Sequence, residues 1–131
     1  MILLCDYAEE NAGKLNIIGG GFSRIFNGQG FDLSVAGKIW IPWSETNVRH
    51  RFELTLTDAD GAVVRQGDSD VDVRVDAEFE VGRPPGMMHG TEADMPLVFR
   101  FRDLRLEPGR YTWQLSVDSA EAASVAFSVE A

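Results

Sequence analysis

Cysteine, proline, lysine and histidine are scarce in this sequence. Cys5 is the one cysteine in 131 residues, and there are five prolines, two lysines and two histidines. A single thiol rules out an intramolecular disulfide and fits a reducing compartment, so a cytoplasmic location is expected. Between Leu4 and Asp6 it reads as a small core residue. Basic charge is also short. Twelve Lys and Arg face twenty-one Asp and Glu, a net charge of −9, and the arginines are scattered singly. Nothing here resembles the basic stripe that a phosphate backbone or an anionic membrane surface requires. Long apolar runs are missing too. No stretch approaches the roughly eighteen residues of a spanning helix. The opening Met1-Ile2-Leu3-Leu4-Cys5-Asp6 lacks a basic segment followed by about seven to fifteen apolar residues, so these residues are expected to belong to the fold.

What is present is enough apolar sequence, 44% of residues, for one globular domain over residues 1–131. Its dominant pattern has period two. Phe31, Leu33, Val35, Gly37, Ile39 and Ile41 alternate with Asp32, Ser34, Ala36, Lys38 and Trp40. His50, Phe52, Leu54 and Leu56 form a second series. Val71, Val73, Val75, Ala77, Phe79 and Val81 form the cleanest one, with charged residues between them. Leu97, Phe99 and Phe101 make a fourth; Tyr111, Trp113, Leu115 and Val117 a fifth; Val125, Phe127 and Val129 a sixth. After Phe101 the apolar parity shifts to Leu104 and Leu106, which calls for a bulge or a change of sheet. The first strand is apolar on both sides, which suits a strand buried within the assembly or covered on its second side. Turn residues at Asp58-Ala59-Asp60-Gly61, Glu107-Pro108-Gly109 and Asp118-Ser119-Ala120-Glu121 fit antiparallel connections between sequential strands. No helical period is sustained. The pattern predicts an all-β, two-sheet antiparallel β-sandwich of about eight strands, immunoglobulin-like or C2-like in layout.

Candidate sites are few. The histidines are His50, in phase with a core face, and His89, in the long irregular segment from Gly82 to Pro96. No Gly-x-Ser-x-Gly elbow occurs, so no catalytic residue is assigned, no cofactor is expected, and a reaction using His89 or Cys5 is the remote alternative. Gly19-Gly20-Gly21 follows an apolar run but precedes no helical pattern, and reads as a bend. Asp58, Asp60, Asp68 and Asp70 supply hard oxygen ligands of the kind that hold Ca²⁺ at one end of a β-sandwich. Their spacing does not match the EF-hand loop. Asp70, Asp72, Asp76, Glu78 and Glu80 lie on one strand face, which invites pairing with arginines across the sheet. Charge is uneven: residues 1–66 hold six basic and eight acidic groups, and residues 67–131 hold six and thirteen. A charged partner is therefore expected to be cationic. Trp40 falls on the polar parity of its strand and Trp43 follows closely. With Met87 and Met88 they suggest an interface or a sugar-stacking platform, unless the long loop folds over Trp40.

Leu3-Leu4-Cys5-Asp6-Tyr7-Ala8 followed by Gly13-Lys14-Leu15-Asn16-Ile17-Ile18-Gly19-Gly20, with Phe22 and Arg24-Ile25-Phe26, resembles a family of small bacterial proteins classed as a domain of unknown function. The likeness continues through Pro108-Gly109-Arg110-Tyr111 to Val117-Asp118. It implies a bacterial all-β domain and carries over no functional residues. The functional expectation is a non-catalytic module for protein binding or self-association, a homo-oligomer included. It would use an edge strand and exposed aromatics, with Ca²⁺ or carbohydrate binding as the alternative.

Overall fold

An alternating strand has one apolar face, and that face is stable only when it packs against another. The computed structural model describes residues 1–131 and shows twelve strands. They are β1 (Ile2–Cys5), β2 (Tyr7–Asn11), β3 (Lys14–Ile18), β4 (Arg24–Phe26), β5 (Gln29–Ile41) and β6 (Arg49–Thr57). These are followed by β7 (Arg65–Gln66), β8 (Val71–Asp72), β9 (Arg74–Glu80), β10 (Ala93–Arg105), β11 (Gly109–Val117) and β12 (Ala120–Glu130). A 3₁₀ turn, Trp43–Glu45, joins β5 to β6. One sheet has the order β1-β5-β10 and another β4-β12-β11-β6-β9, while β2-β3 and β7-β8 form two-stranded sheets. The fold is all-β, and no helix is long and apolar enough to cross a membrane.

The two larger sheets contribute to a single buried cluster. Leu4, Leu33, Val35 and Leu97 come from the three-stranded sheet; Leu54, Leu56, Trp113, Leu115 and Phe127 come from the five-stranded one. Removing a Leu side chain from water contributes roughly 1.5–3 kcal/mol, so this cluster dominates stability. Tyr111 fixes the entry to β11. Its hydroxyl donates to the Glu107 carbonyl at 2.7 Å across Pro108-Gly109, the hydrogen bond of a tyrosine corner. Burial, with the nearby Glu107 and Asp58 charges adding to it, pushes the Tyr111 phenol up.

Several sequence expectations are met locally. The parity shift after Phe101 is a bulge: Phe101 pairs with Leu33, the next paired residue is Leu104 against Phe31, and Asp103 has φ 52°. The Asp32 carboxylate accepts the Asp103 N–H at 2.9 Å. The apolar first strand is covered on both sides. β1 lies at the edge of its sheet, and the β2-β3 hairpin places Ala8 against Cys5 and Ala36, with Leu3 and Val98 around them. The glycine triplet is a bend, with Gly19 at φ 64° and Gly21 at φ 90°. The Asp6 carboxylate occupies the space that a Cβ on Gly19 would need.

Other expectations are corrected. Twelve strands in four sheets replace about eight in two, although the two larger sheets together use eight strands. Not every pairing is antiparallel, because β4 runs parallel to β12. The series from Val71 to Val81 is not one inward-facing strand. The chain turns at Asp70 (φ 49°) and the ladder is interrupted at Val73. Val71 is 62% exposed, and β9 is an edge strand whose Val75 and Phe79 are half-buried. The Asp58 turn forms, but the returning chain makes only the Thr57–Val63 bridge before leaving. The ladder partner of β6 on that side is β9.

Candidate functional site

The outward face of β5 is divided in two. Ser34 and Ala36 are fully buried beneath the β2-β3 hairpin. Further along, Lys38 reaches across to Asp94 at 2.7 Å, and Trp40 stands opposite Asp94 in the register with β10. Strand β1 pairs with β5 only from Cys5 to Ile2, and the Met1 backbone meets Lys38. Nothing from β1 or the hairpin therefore extends over Trp40, and its side chain is 48% exposed.

Trp43, three residues later, has a different environment. The Arg83 guanidinium lies 3.9 Å from the centre of its ring, and the His89 ring lies 4.7 Å away. Arg83 also donates to the Trp43 carbonyl at 2.7 Å and to the Thr46 hydroxyl. The long segment after β9 thus folds over Trp43 and not over Trp40. Met87 is half-buried against the main cluster, whereas Met88 is 78% exposed. Of the four residues expected to form an exposed patch, Trp40 and Met88 remain open; Trp43 and Met87 are largely occupied by the protein's own contacts.

His50 anchors the same end. Its ring is buried, with Nδ1 donating to Asp118 at 2.7 Å and Nε2 to the Glu45 carbonyl at 2.7 Å. Both partners are acceptors, so the arrangement favours the doubly protonated imidazolium over the neutral ring. The hydrogen bond to Glu45 and then that to Asp118 push the His50 pKa up. Asp118 is held low by His50 and by the Arg51 N–H. Asp118 and Ser119 form the two-residue β11-β12 turn with φ 51° and 69°. The backbone conformation of that turn aims the carboxylate at the ring.

The residues considered for chemistry are committed elsewhere. Both ring nitrogens of His50 are engaged, with Asp118 and with the Glu45 carbonyl. The Cys5 thiol is buried; desolvation, with the Asp6 charge adding to it, pushes its pKa up, the reverse of an activated nucleophile. It donates to the Ser34 carbonyl at 3.6 Å. Asp58 accepts the N–H groups of Asp60 and Ala62 at 2.9 and 3.0 Å, closing its own turn. Asp68 and Asp70 lie in the β7-β8 turn. No group of three or more His, Cys, Asp or Glu is arranged to hold a metal ion.

Sequence reasoning missed several exposed apolar side chains, among them Ile18, Phe26 and Tyr7. Ile18 and Phe26 are each 64% exposed and Tyr7 is 36% exposed, with Arg100 over the Tyr7 ring at 4.4 Å. It also missed a shallow cavity of about 600 Å³ beside Gly19-Gly20-Gly21, bounded by Asp6, Phe22 and Phe31. The glycine triplet was the available signal for it.

The class that these observations define is an all-β, mainly antiparallel protein with an open aromatic position on the outer face of its three-stranded sheet. The chain belongs to the family of unknown function DUF6941, whose model matches residues 1–130. No curated protein matches it.

Proposed function

We propose that this chain is a non-catalytic protein-interaction module that self-associates through the open end of β5, around Trp40. The observation that carries the reading is the half-exposed Trp40 on a central strand, at the point where the protein's own cover ends. Aromatic side chains in such positions bury a large area at little entropic cost and dominate interface energetics. Met88 is a second exposed apolar side chain, in the loop that leads into β10. The acidic surface, with a net charge of −9, disfavours nucleic acid and anionic membranes as partners. The buried reduced thiol of Cys5 suits a cytoplasmic setting.

We infer as well that the chain is one domain and that its two larger sheets stack as a β-sandwich of immunoglobulin-like layout. The shared apolar cluster, the buried Trp113 and the Tyr111 corner support this. The functional test is the Trp40→Ala, Met88→Ser double variant. With an unchanged circular dichroism spectrum it is expected to have a lower average molar mass than the unaltered chain at equal concentration. Equal masses for the two would contradict the proposal.

A further inference from the structure

A strand at the edge of a sheet carries unpaired N–H and C=O groups that accept another strand unless they are blocked. The longer edges of this protein are treated differently. On β5, the neighbour of β10, the Lys38 N–H and C=O are both engaged with Met1 on the β1 side. Lys38 and its register partner Pro96 are therefore a non-hydrogen-bonded pair. The nitrogen of Pro96 accordingly faces the free edge, where its ring replaces a donor and obstructs an incoming strand. At the other end of β10, the Gln66 side-chain amide donates to the Arg105 carbonyl and accepts the Arg105 N–H, at 2.7 and 2.8 Å. On β1, Gly21 donates to the outer carbonyl of Leu4 at 2.8 Å. Strand β4 is three residues long.

Strand β9 has none of these devices. Arg51 directs its C=O and N–H towards Asp118, on the β11 side. Polar groups alternate along a strand, so His50, Phe52 and Leu54 face β9, and their partners Phe79, Ala77 and Val75 face back. The Val81 carbonyl, which accepts from Asn47 on that same side, agrees with this phase. The N–H and C=O groups of Arg74, Asp76, Glu78 and Glu80 therefore point to the free edge. The register with β6 is unbroken from Glu80 to Arg74, and the strand contains no proline.

The charges on this edge select its occupant. Arg74 is bonded to Glu53 at 2.9 Å, and Arg51 binds Asp76. Glu78 is only loosely paired, 3.5 Å from Arg49, and Glu80 has no ion pair. A second copy of β9 placed antiparallel about Ala77 would set Asp76 against Glu78 twice, and directly opposed like charges are destabilising; Arg74, which would meet Glu80 in that register, is already bonded to Glu53. We propose that β9 is the docking edge for an extended basic segment of a partner protein. Strand addition places its Lys or Arg side chains opposite Asp76, Glu78 and Glu80, with small apolar residues between them. The inference deepens the reading of the chain as an interaction module. Its site is on the five-stranded sheet, whereas Trp40 is on the three-stranded one.

The test uses the full chain and a fluorescein-labelled heptapeptide of alternating Val and Lys. A control peptide has the same composition with the lysines in one block. Anisotropy is expected to show that the alternating peptide binds about tenfold more tightly than the block peptide, with amide NMR shifts concentrated at Arg74–Glu80. Glu78→Pro removes an outward N–H without touching the β6 ladder and is expected to abolish binding. Glu78→Lys with Glu80→Lys should do the same through charge alone, and covers the case in which the proline variant fails to fold. Equal affinity for the two peptides, shifts away from β9, or undiminished binding by both variants would overturn the inference. If instead the molar mass responds to the Trp40 substitution while the peptide fails to bind, the edge inference falls and the self-association proposal stands.

Discussion

The two ends of the outer face of β5 differ in what covers them. At Ser34 and Ala36 the β2-β3 hairpin returns over the strand and buries it completely. At Lys38 and Trp40 no part of the chain returns, and a large aromatic side chain is left half in water. Both ends obey the same alternation, so period alone does not distinguish a face sealed from within from one left open. The residue types do. Small Ser34 and Ala36 allow a hairpin to approach closely, while the bulk of Trp40 and the charge of Lys38 keep a close-packed layer away.

Substitutions at the two ends should therefore act on different properties. The largest effect is expected from Ala36→Asp, which places an unpaired carboxylate under the hairpin. It should cost about 3–5 kcal/mol, visible as a large fall in the urea midpoint; a loss under about 1 kcal/mol would show that the hairpin does not seal this end.

His50→Ala is expected to cost about 1–3 kcal/mol, because a buried ring and its bond to the Glu45 carbonyl are lost together. The same tether makes stability depend on pH. The folded-state pKa of His50 is raised, so its contribution is complete below the unfolded value of about 6.5 and is lost as pH rises through the folded value. Asp118 is lowered, so its contribution is present above the unfolded value of about 3.9 and is lost as pH falls through the folded value. Melting temperature should decline as pH rises above about 6.5 in the parent and be flatter there in His50→Ala. Parallel profiles would remove the imidazolium from the account.

Ser119→Gly should stabilise the protein by about 0.5 kcal/mol, since Ser119 holds φ 69° and glycine adopts that region without steric cost. A lower melting temperature in that variant would mean that the serine side chain supports the turn. Trp40→Ala should change the unfolding free energy least, within about 0.5 kcal/mol. A larger loss would mark Trp40 as part of the fold's own packing.

Much of the fold was legible in the sequence, and the limits have physical causes. Parity located the bulge after Phe101 because a bulge inverts every later side chain. Apolar residues on both faces of Leu3-Leu4-Cys5 announced a second covering layer. The same logic misjudged Val71 to Val81, because an edge strand keeps its alternation while losing its cover on one side. The β4-β12 pairing was hidden, since Arg24 meets Ser128 more than one hundred positions away. At the candidate site, parity placed Trp40 on the outer face of β5, and only its bulk beside the charge of Lys38 separated it from the buried Ser34 and Ala36 on that face. The covering of Trp43 could not be read, because Arg83 and His89 reach it from a loop whose course no local pattern sets.

The most direct test of the central claim is the molar mass of the unaltered chain by light scattering over a wide concentration range. A mass that rises with concentration to a defined multiple of 14.5 kDa is the predicted result. A constant monomer mass throughout would contradict self-association at the open end of β5.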